Sequence, residues 1–474
     1  MIDLLEALDD PNLFGPWFSG DSWRPWRAVL KAACGHALDV DELAIFRAVA
    51  QRDPPPRRVR ELWIVAGRRA GKDSIASAIG AHAAGFVDYG AVLRPGEVAS
   101  VLCLAVDRTQ AKIVMRYTKA FFDRIPMLAG LVTRETADGL ELSTQAELSV
   151  IAANFRTVRG RSVALAILDE CAFWRDEGSA SPDVETYVAL APGMATIPNS
   201  LLIGMSSPYR KAGLLYTKWR DHFGKPGDDV LVIQAPSRAL NPTLPQRVID
   251  EAMERDPAAA RAEWLGEWRN DLAAYLTREL VEAAVDRGVT VRPRADGGGT
   301  YVAFCDPSGG VNDSFTAAIA HAEGETVILD CLVEIRAPFN PTNATADIAE
   351  TLKAYGINTV TGDRYAASWV VDAFSKHGIA YQHSDRDRSA IYANALPLFT
   401  AGRARLLDNP RLVSQFANLE RRTSSMGRDR IDHPAGLADD ASNSAAGALT
   451  LAAGRSESGF LAHYRSMSKS MEDA

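Results

Sequence analysis

Four aspartates on separate stretches of the chain have the type and placement that metal-assisted phosphodiester hydrolysis needs. Asp306 closes the apolar run YVAFCD, Asp363 closes NTVTGD, and Asp439-Asp440 open a final Ala-rich helix. Carboxylates from two neighbouring strand ends and a helix can converge on two Mg²⁺ or Mn²⁺ ions, which clamp the attacking and leaving oxygens. Taken singly, each is also an ordinary strand-end or helix-capping residue, and it is their joint order that favours a site. Asp313 in GGVNDSF is a further ligand, a group behind the ligands, or part of a Gly-rich turn. Arg364 and Lys376 stand near enough in sequence to meet a DNA phosphate or to offset the acids. The neighbouring aromatics Phe173, Trp174, Tyr365 and Trp369 read mostly as core.

A second constellation lies upstream. Ala66-Gly67-Arg68-Arg69-Ala70-Gly71-Lys72-Asp73 follows an apolar strand and precedes an Ala-rich helix, the setting of a P-loop. There, backbone N–H groups wrap phosphates at a helix N-terminus and the lysine reaches the outer phosphates. Two positions depart from the usual pattern: Ala66 takes the place of the first glycine, and Asp73 that of the metal-binding hydroxyl. Either Asp73 or Ser74 then serves the metal. The strand VALAILDE ends in Asp169-Glu170, where the first carboxylate suits Mg²⁺ and the second can polarise an attacking water. Arg159 is the candidate arginine for transition-state charge, from its own or a neighbouring subunit, with Arg156 and Arg161 close behind; a basic loop on DNA phosphates is the alternative. Ser206-Ser207 before Pro208 stand at a strand C-terminus, where they sense a γ-phosphate or simply form a turn.

These residues require a particular frame. The chain of 474 residues, 47% hydrophobic and 24% charged, has room for roughly two or three domains with their own cores. Near-continuous apolar runs alternate with helical patterns from ELWIVAG to VLVIQAP, which predicts a mainly parallel sheet over 61–243. Residues 1–60 read as a helical lid rich in Trp and Phe, ending in RDPPPRRVR, and 244–300 as a helical subdomain and linker. A mixed-sheet α/β domain follows over 301–453, with a hairpin around Glu323 and Gly324, and 454–474 read as a flexible tail. The net charge of −8 excludes a uniformly basic coat protein, so any DNA contact is local. Arginines at 403, 405, 411, 421, 422, 428 and 430 form basic tracks or solvated faces. The five cysteines lack paired spacing and read as reduced core residues. No membrane span and no secretory signal is expected, and a cytoplasmic location follows from that reading.

In this order, GRRAGKD, RGRSVALAILDECAFW, GMSSPYRKAGLLY, NPTL, FCDPSGGVNDSF, VTGDRYA and HPAGLADDASN resemble the large terminase subunits of tailed double-stranded-DNA bacteriophages and related particles, over nearly the whole chain. The resemblance implies a P-loop NTPase domain that moves double-stranded DNA into an empty procapsid, as a homo-oligomeric ring on a portal protein, with a small terminase subunit as partner. It also implies an RNase-H-like nuclease that cuts concatemeric DNA in the host cytoplasm, in a protein that is not a stable virion component. By position, Lys72 and its loop bind ATP, Asp169 holds one Mg²⁺, and Glu170 is the catalytic carboxylate. Arg159 is the trans-acting arginine and Ser206-Ser207 the coupling motif. Asp306, Asp363 and one or both of Asp439 and Asp440 hold two Mg²⁺ or Mn²⁺ ions. Competing readings are a repair helicase–nuclease, for which further helicase signatures are missing, and a nuclease with a degenerate ATP site, motivated by Ala66 and Asp73.

Overall fold

The computed structural model describes residues 2–105, 108–152, 155–174, 182–295, 299–363, 368–423, 429–434 and 437–454. These fall into two compact units that part between Asn270 and Asp271. The segment read as a helical subdomain and linker over 244–300 is shared between them. Helices Gln246–Arg255 and Pro257–Leu265 go with the first unit and helix Arg278–Ala283 with the second.

The first unit holds β1 (Glu61–Ala66), β2 (Ala99–Ala105), β3 (Val132–Thr136), β4 (Gly139–Leu142), β5 (Ala146–Ala152), β6 (Ser162–Asp169), β7 (Leu201–Ser206) and β8 (Val230–Ala235). They form one sheet in the order β3-β4-β5-β2-β6-β7-β1-β8. Pairing is parallel from β5 through β8 and antiparallel only at the β3–β4–β5 edge. The sequence pattern predicts the parallel strands but not β3 and β4. VTRET is largely exposed, so no apolar alternation announces it, as suits an edge strand.

Successive side chains of a strand point to opposite faces, and β1 shows both covered. Leu62, Ile64 and Ala66 join one core with Trp26, Ile75 and Ile79, while Trp63 and Val65 join the other with Leu168, Leu202 and Leu214. The expected N-terminal lid is instead part of the first core. Phe14, Trp26 and Phe46, all from its helical region, are fully buried there.

The second unit holds β9 (Leu272–Ala274), β10 (Val302–Asp306), β11 (Phe315–Glu323), β12 (Thr326–Ile335), β13 (Thr359–Gly362), β14 (Ala380–His383), β15 (Ala404–Arg405), β16 (Glu420–Thr423) and β17 (Asp429–Asp432). Its main sheet, β14-β13-β10-β11-β12-β15, is antiparallel through β10, β11 and β12 and parallel elsewhere, the expected mixed sheet. A small antiparallel sheet of β17, β16 and β9 lies beside it.

The final helix, residues 440–454, packs against β10 through its small residues. A Cβ on Gly447 would stand 2.3 Å from Cγ of the buried Phe304 ring, so only glycine permits this approach. Thr316 on β11 fixes the start of the same helix, donating to Asp440 O at 2.7 Å.

We expect Gly447→Ala to destabilise the second unit by about 1–3 kcal/mol, because the clash outweighs the ~1 kcal/mol by which Ala favours a helix. That corresponds to a melting point lower by roughly 2–10 °C. Thermal unfolding checks it, and adding Phe304→Leu is expected to restore part of the loss.

Candidate functional site

β6, β7 and β1 are adjacent and parallel, so their C-terminal ends come level. Asp169 lies beside Met205, and Val65 beside Ser206. The loop 67–71 leaves β1 here and enters helix Lys72–Gly85. Three successive loop carbonyls are taken up by side chains from elsewhere. Ser237 Oγ donates to Arg68 O at 2.7 Å, Asn241 Nδ2 to Arg69 O at 2.8 Å, and Trp26 Nε1 to Ala70 O at 2.7 Å. The first two loop N–H groups are also committed, Gly67 N to Ala235 O at 3.3 Å and Arg68 N to Glu263 O at 2.5 Å, so it is the later part of the loop and the helix N-terminus that can meet an anion.

The first glycine that the loop needs is Gly67, which explains why Ala66 is tolerated before it. A Cβ at position 67 would stand 2.2 Å from Ser237 Oγ and 2.7 Å from Trp264 O. Ala66 ends the strand, and its carbonyl accepts from Lys72 Nζ at 3.0 Å.

Lys72 is only 5% exposed. Its ammonium also lies 3.4 Å from Ser207 Oγ and 3.6 Å from Glu170 Oε1. Glu170 in turn accepts from Ser206 Oγ at 2.8 Å and from Ser207 N at 3.2 Å, with its backbone held at φ 46°. The two serines are therefore wired to the carboxylate expected to handle water.

Beside them Asp169 is buried, and its Oδ1 has no hydrogen-bond partner among the described residues. Burial, then the charges of Asp73 and Glu170, push its carboxyl well above the ordinary range. Burial also raises Asp73; Lys72 opposes the rise and Glu170 adds to it. Asp73 and Ser74 are both half-buried in the first turn of the helix. An orphaned oxygen among crowded carboxylates fits a divalent cation or its bound water, and Asp169 with Asp73 would hold it.

Neither Arg161 nor Arg159 joins this cluster. Arg161 pairs with Glu147, which also accepts from Ser100 Oγ at 2.7 Å. Arg159 is exposed in the turn before β6, while Asp169 ends that strand. Seven strand steps separate Ser162 from Asp169, roughly 23 Å. Within its own subunit Arg159 stands at the opposite end of the sheet from the cradle, so a role at the phosphates is left only in trans. The side chain of Arg156 lies outside the described residues, as do Arg364, Tyr365, Arg428 and residues 455–474.

In the second unit, β10 and β13 pair so that Cys305 lies beside Gly362, which brings the following residues Asp306 and Asp363 level. A pocket of about 300 Å³ opens there, lined by Asp306, Asp313, Asp363, Asp440 and Arg388 among others. Burial, countered by the Asn443 amide and Arg388 and reinforced by Asp440 and Asp439, lifts the Asp306 carboxyl to about 7. Asp440 is lifted to about 6, by burial and then by Asp439 and Asp313, against the Ser314 N–H, which donates to it at 3.1 Å. Carboxylates raised by burial and by one another are groups that a divalent cation would relieve, and this oxygen-only set fits Mg²⁺ or Mn²⁺.

Asp439 stands apart from the other expected ligands, in a cluster with Asp432 and His433. It is 1% exposed and does not line the pocket; Arg388 Nη1 and Tyr392 Oη each donate to it at 3.0 Å, and His433 Nδ1 lies at 3.0 Å. Burial opposes its ionisation, but His433, Arg388 and Tyr392 prevail and hold its carboxyl below the ordinary range. Asp313 is exposed and does line the pocket. Lys376 is exposed at the end of helix Ser368–Lys376.

Sequence reading missed Arg388, Asn443 and Tyr392. Asn443 had a legible signal. It stands three residues after Asp440, on the same helix face, and its Nδ2 donates to Asp306 Oδ2 at 2.8 Å. Arg388 and Tyr392 had none. All five cysteines are free thiols, four of them buried, and no helix among the described residues is long and apolar enough to cross a membrane.

The chain is similar to large terminases of bacteriophages. The HK97 bacteriophage large terminase shares 19% identity over 90% of this chain and 99% of its own, with a TM-score of 0.39. The large terminase from the thermophilic bacteriophage D6E shares 11% over 90% and 98%, at 0.38. The large terminase nuclease from thermophilic phage G20c with bound magnesium shares 16% over 37% and 96%, at 0.31. No family model and no curated protein matches the chain.

A pH effect follows from Asp306. A carboxyl whose folded pKa is raised stabilises the fold below its unfolded value of 3.8 and loses that contribution as pH rises through about 7. Without metal, the wild-type second unit is therefore expected to lose stability between pH 5 and pH 8 relative to Asp306→Asn. Mn²⁺, which binds the ionised form, is expected to raise the wild-type melting point more at pH 8 than at pH 5. Equal Mn²⁺ shifts at the two pH values would contradict this assignment.

Proposed function

We propose that this chain is the ATP-driven motor and metal-dependent endonuclease of double-stranded-DNA packaging, acting on concatemeric DNA in the host cytoplasm. The observation that carries the reading is the joint presence, in separate units, of a braced phosphate cradle and a four-carboxylate pocket. The order of the terminase-like motifs supports it.

In the motor unit, the later loop N–H groups, the helix N-terminus and Lys72 bind the nucleotide phosphates, and Asp169 with Asp73 would hold Mg²⁺. Glu170 orients the attacking water and accepts its proton. Ser207 contacts both Lys72 and Glu170, and Ser206 at the end of β7 contacts Glu170, so a change in phosphate occupancy at Lys72 reaches β7 through these residues. Arg159 acts, on this reading, on the nucleotide of a neighbouring subunit in a ring. The portal protein and the small terminase subunit are the partners that this role implies.

In the nuclease unit, Asp306, Asp363 and Asp440, with Asp313 at the rim, hold two divalent ions. When bound, these ions neutralise the phosphate and supply the charge that favours an attacking hydroxide and a leaving alkoxide. The aspartates orient that pair, and Asn443 fixes Asp306 by its amide. The carboxylate crowding around Asp73 favours one second reading, a nuclease whose ATP site is degenerate.

DNA-stimulated ATP turnover separates the two. Lys72→Ala is expected to lower it by at least about 100-fold, the scale of a lost phosphate-clamping charge in a dry site; a wild type no faster than the variant would leave only the second reading. Asp306→Ala and Asp363→Ala are each expected to abolish plasmid cleavage in Mn²⁺ while ATP turnover stays unchanged, measured on the same preparations.

A further inference from the structure

Among the described residues lining the carboxylate pocket, Arg388 is the single cation, facing Asp306, Asp313, Asp363 and Asp440. A guanidinium there opposes metal loading, so it needs another reason to be present. Holding Asp439 is not reason enough. That carboxylate already has the Tyr392 hydroxyl at 3.0 Å, His433 at 3.0 Å and a place at the N-terminus of the 440–454 helix, where a negative charge is favoured.

Asp439 engages only one corner of the group. Arg388 Nη1 is 3.0 Å from Asp439 Oδ1 and 3.9 Å from Asp432 Oδ1, and the side chain keeps 35% exposure. A guanidinium carries five donors in a planar fork that matches phosphate oxygens. Its backbone is anchored as the first residue of helix Arg388–Thr400, capped by Asp387, whose side chain accepts from Ala390 N at 2.8 Å. The buried Asp439 thus fixes one edge of a rigid cation and leaves the other toward the pocket.

We propose that Arg388 is a substrate-binding residue of the nuclease site that engages a DNA backbone phosphate, and that Asp439 is its positioning residue rather than a metal ligand. This inference rests on the nuclease reading above. A polyanion approaching four carboxylates meets repulsion, and one fixed guanidinium at the rim both offsets it and sets the register of the strand to be cut.

The test uses the full chain, with plasmid cleavage kinetics and Mn²⁺ binding followed by electron paramagnetic resonance. The nuclease-site Mn²⁺ is the part that Asp306→Asn removes. Arg388→Met is expected to raise the KM for DNA about tenfold or more, the loss of one charge-assisted pair. Nuclease-site Mn²⁺ is expected to bind as tightly as in wild type or a few-fold tighter, since a competing cation has gone. Arg388→Lys is expected to recover part of the KM, and Asp439→Asn to raise KM while keeping Mn²⁺ affinity within about twofold.

A purely structural role moves the two readouts together, so Arg388→Met losing Mn²⁺ affinity along with cleavage overturns the proposal. So does an unchanged KM, or an Asp439→Asn variant that loses Mn²⁺ as Asp440→Asn does. Wild type and Asp306→Asn cleaving and binding Mn²⁺ alike is a different failure, that of the nuclease reading itself.

Discussion

Backbone pairing between parallel neighbours is the constraint on which both sites depend. Hydrogen bonds that register β6, β7 and β1 bring Asp169, Ser206 and the start of the 67–71 loop to one level. The same kind of pairing between β10 and β13 levels Asp306 with Asp363. A one-residue slip in either ladder would turn an acidic side chain to the opposite face and dissolve the cluster. Burial on both faces of the sheets makes such slips costly, because each would also exchange the residues of two cores.

Charge balance then separates groups that look alike. Carboxylates removed from water need protons, donors or cations, and each acid here is settled differently. Asp439 accepts from Arg388 and Tyr392, has His433 beside it, and is held below the ordinary carboxylate range. Its neighbour Asp440, with one backbone N–H and a view of the pocket, is held near 6. In the first unit Lys72 is shared among two carbonyls, Ser207 and Glu170, and Asp169 Oδ1 has no hydrogen-bond partner among the described residues. Adjacent residues in one motif are thus shifted in opposite directions.

The cradle shows how remote segments support a short motif. Trp26 from the N-terminal helices and Ser237 and Asn241 from beyond β8 each bind one carbonyl of a three-residue stretch. The close approach that makes Gly67 necessary comes from Ser237 and Trp264. The departure at Ala66 is therefore no loss, since the steric demand falls one residue later.

The sequence by itself determined the parallel strands of the first unit and the cast of acids. Unbroken apolar runs can be satisfied only by strands covered on both sides, and Gly71-Lys72, Asp169-Glu170, Asp306 and Asp363 stand at strand ends or loop-to-helix turns where local rules already place them. Tertiary structure alone decided which of Asp439 and Asp440 faces the pocket. Asp439 precedes the helix and Asp440 is its first residue, and the orientation of that helix depends on Gly447 meeting Phe304 and Thr316 meeting Asp440. It also decided that Arg388 shares that pocket, that Arg159 lies at the far end of the sheet from the cradle, and that the N-terminal Trp and Phe residues are core. No periodicity encodes such outcomes, because they depend on contacts between residues far apart in the chain.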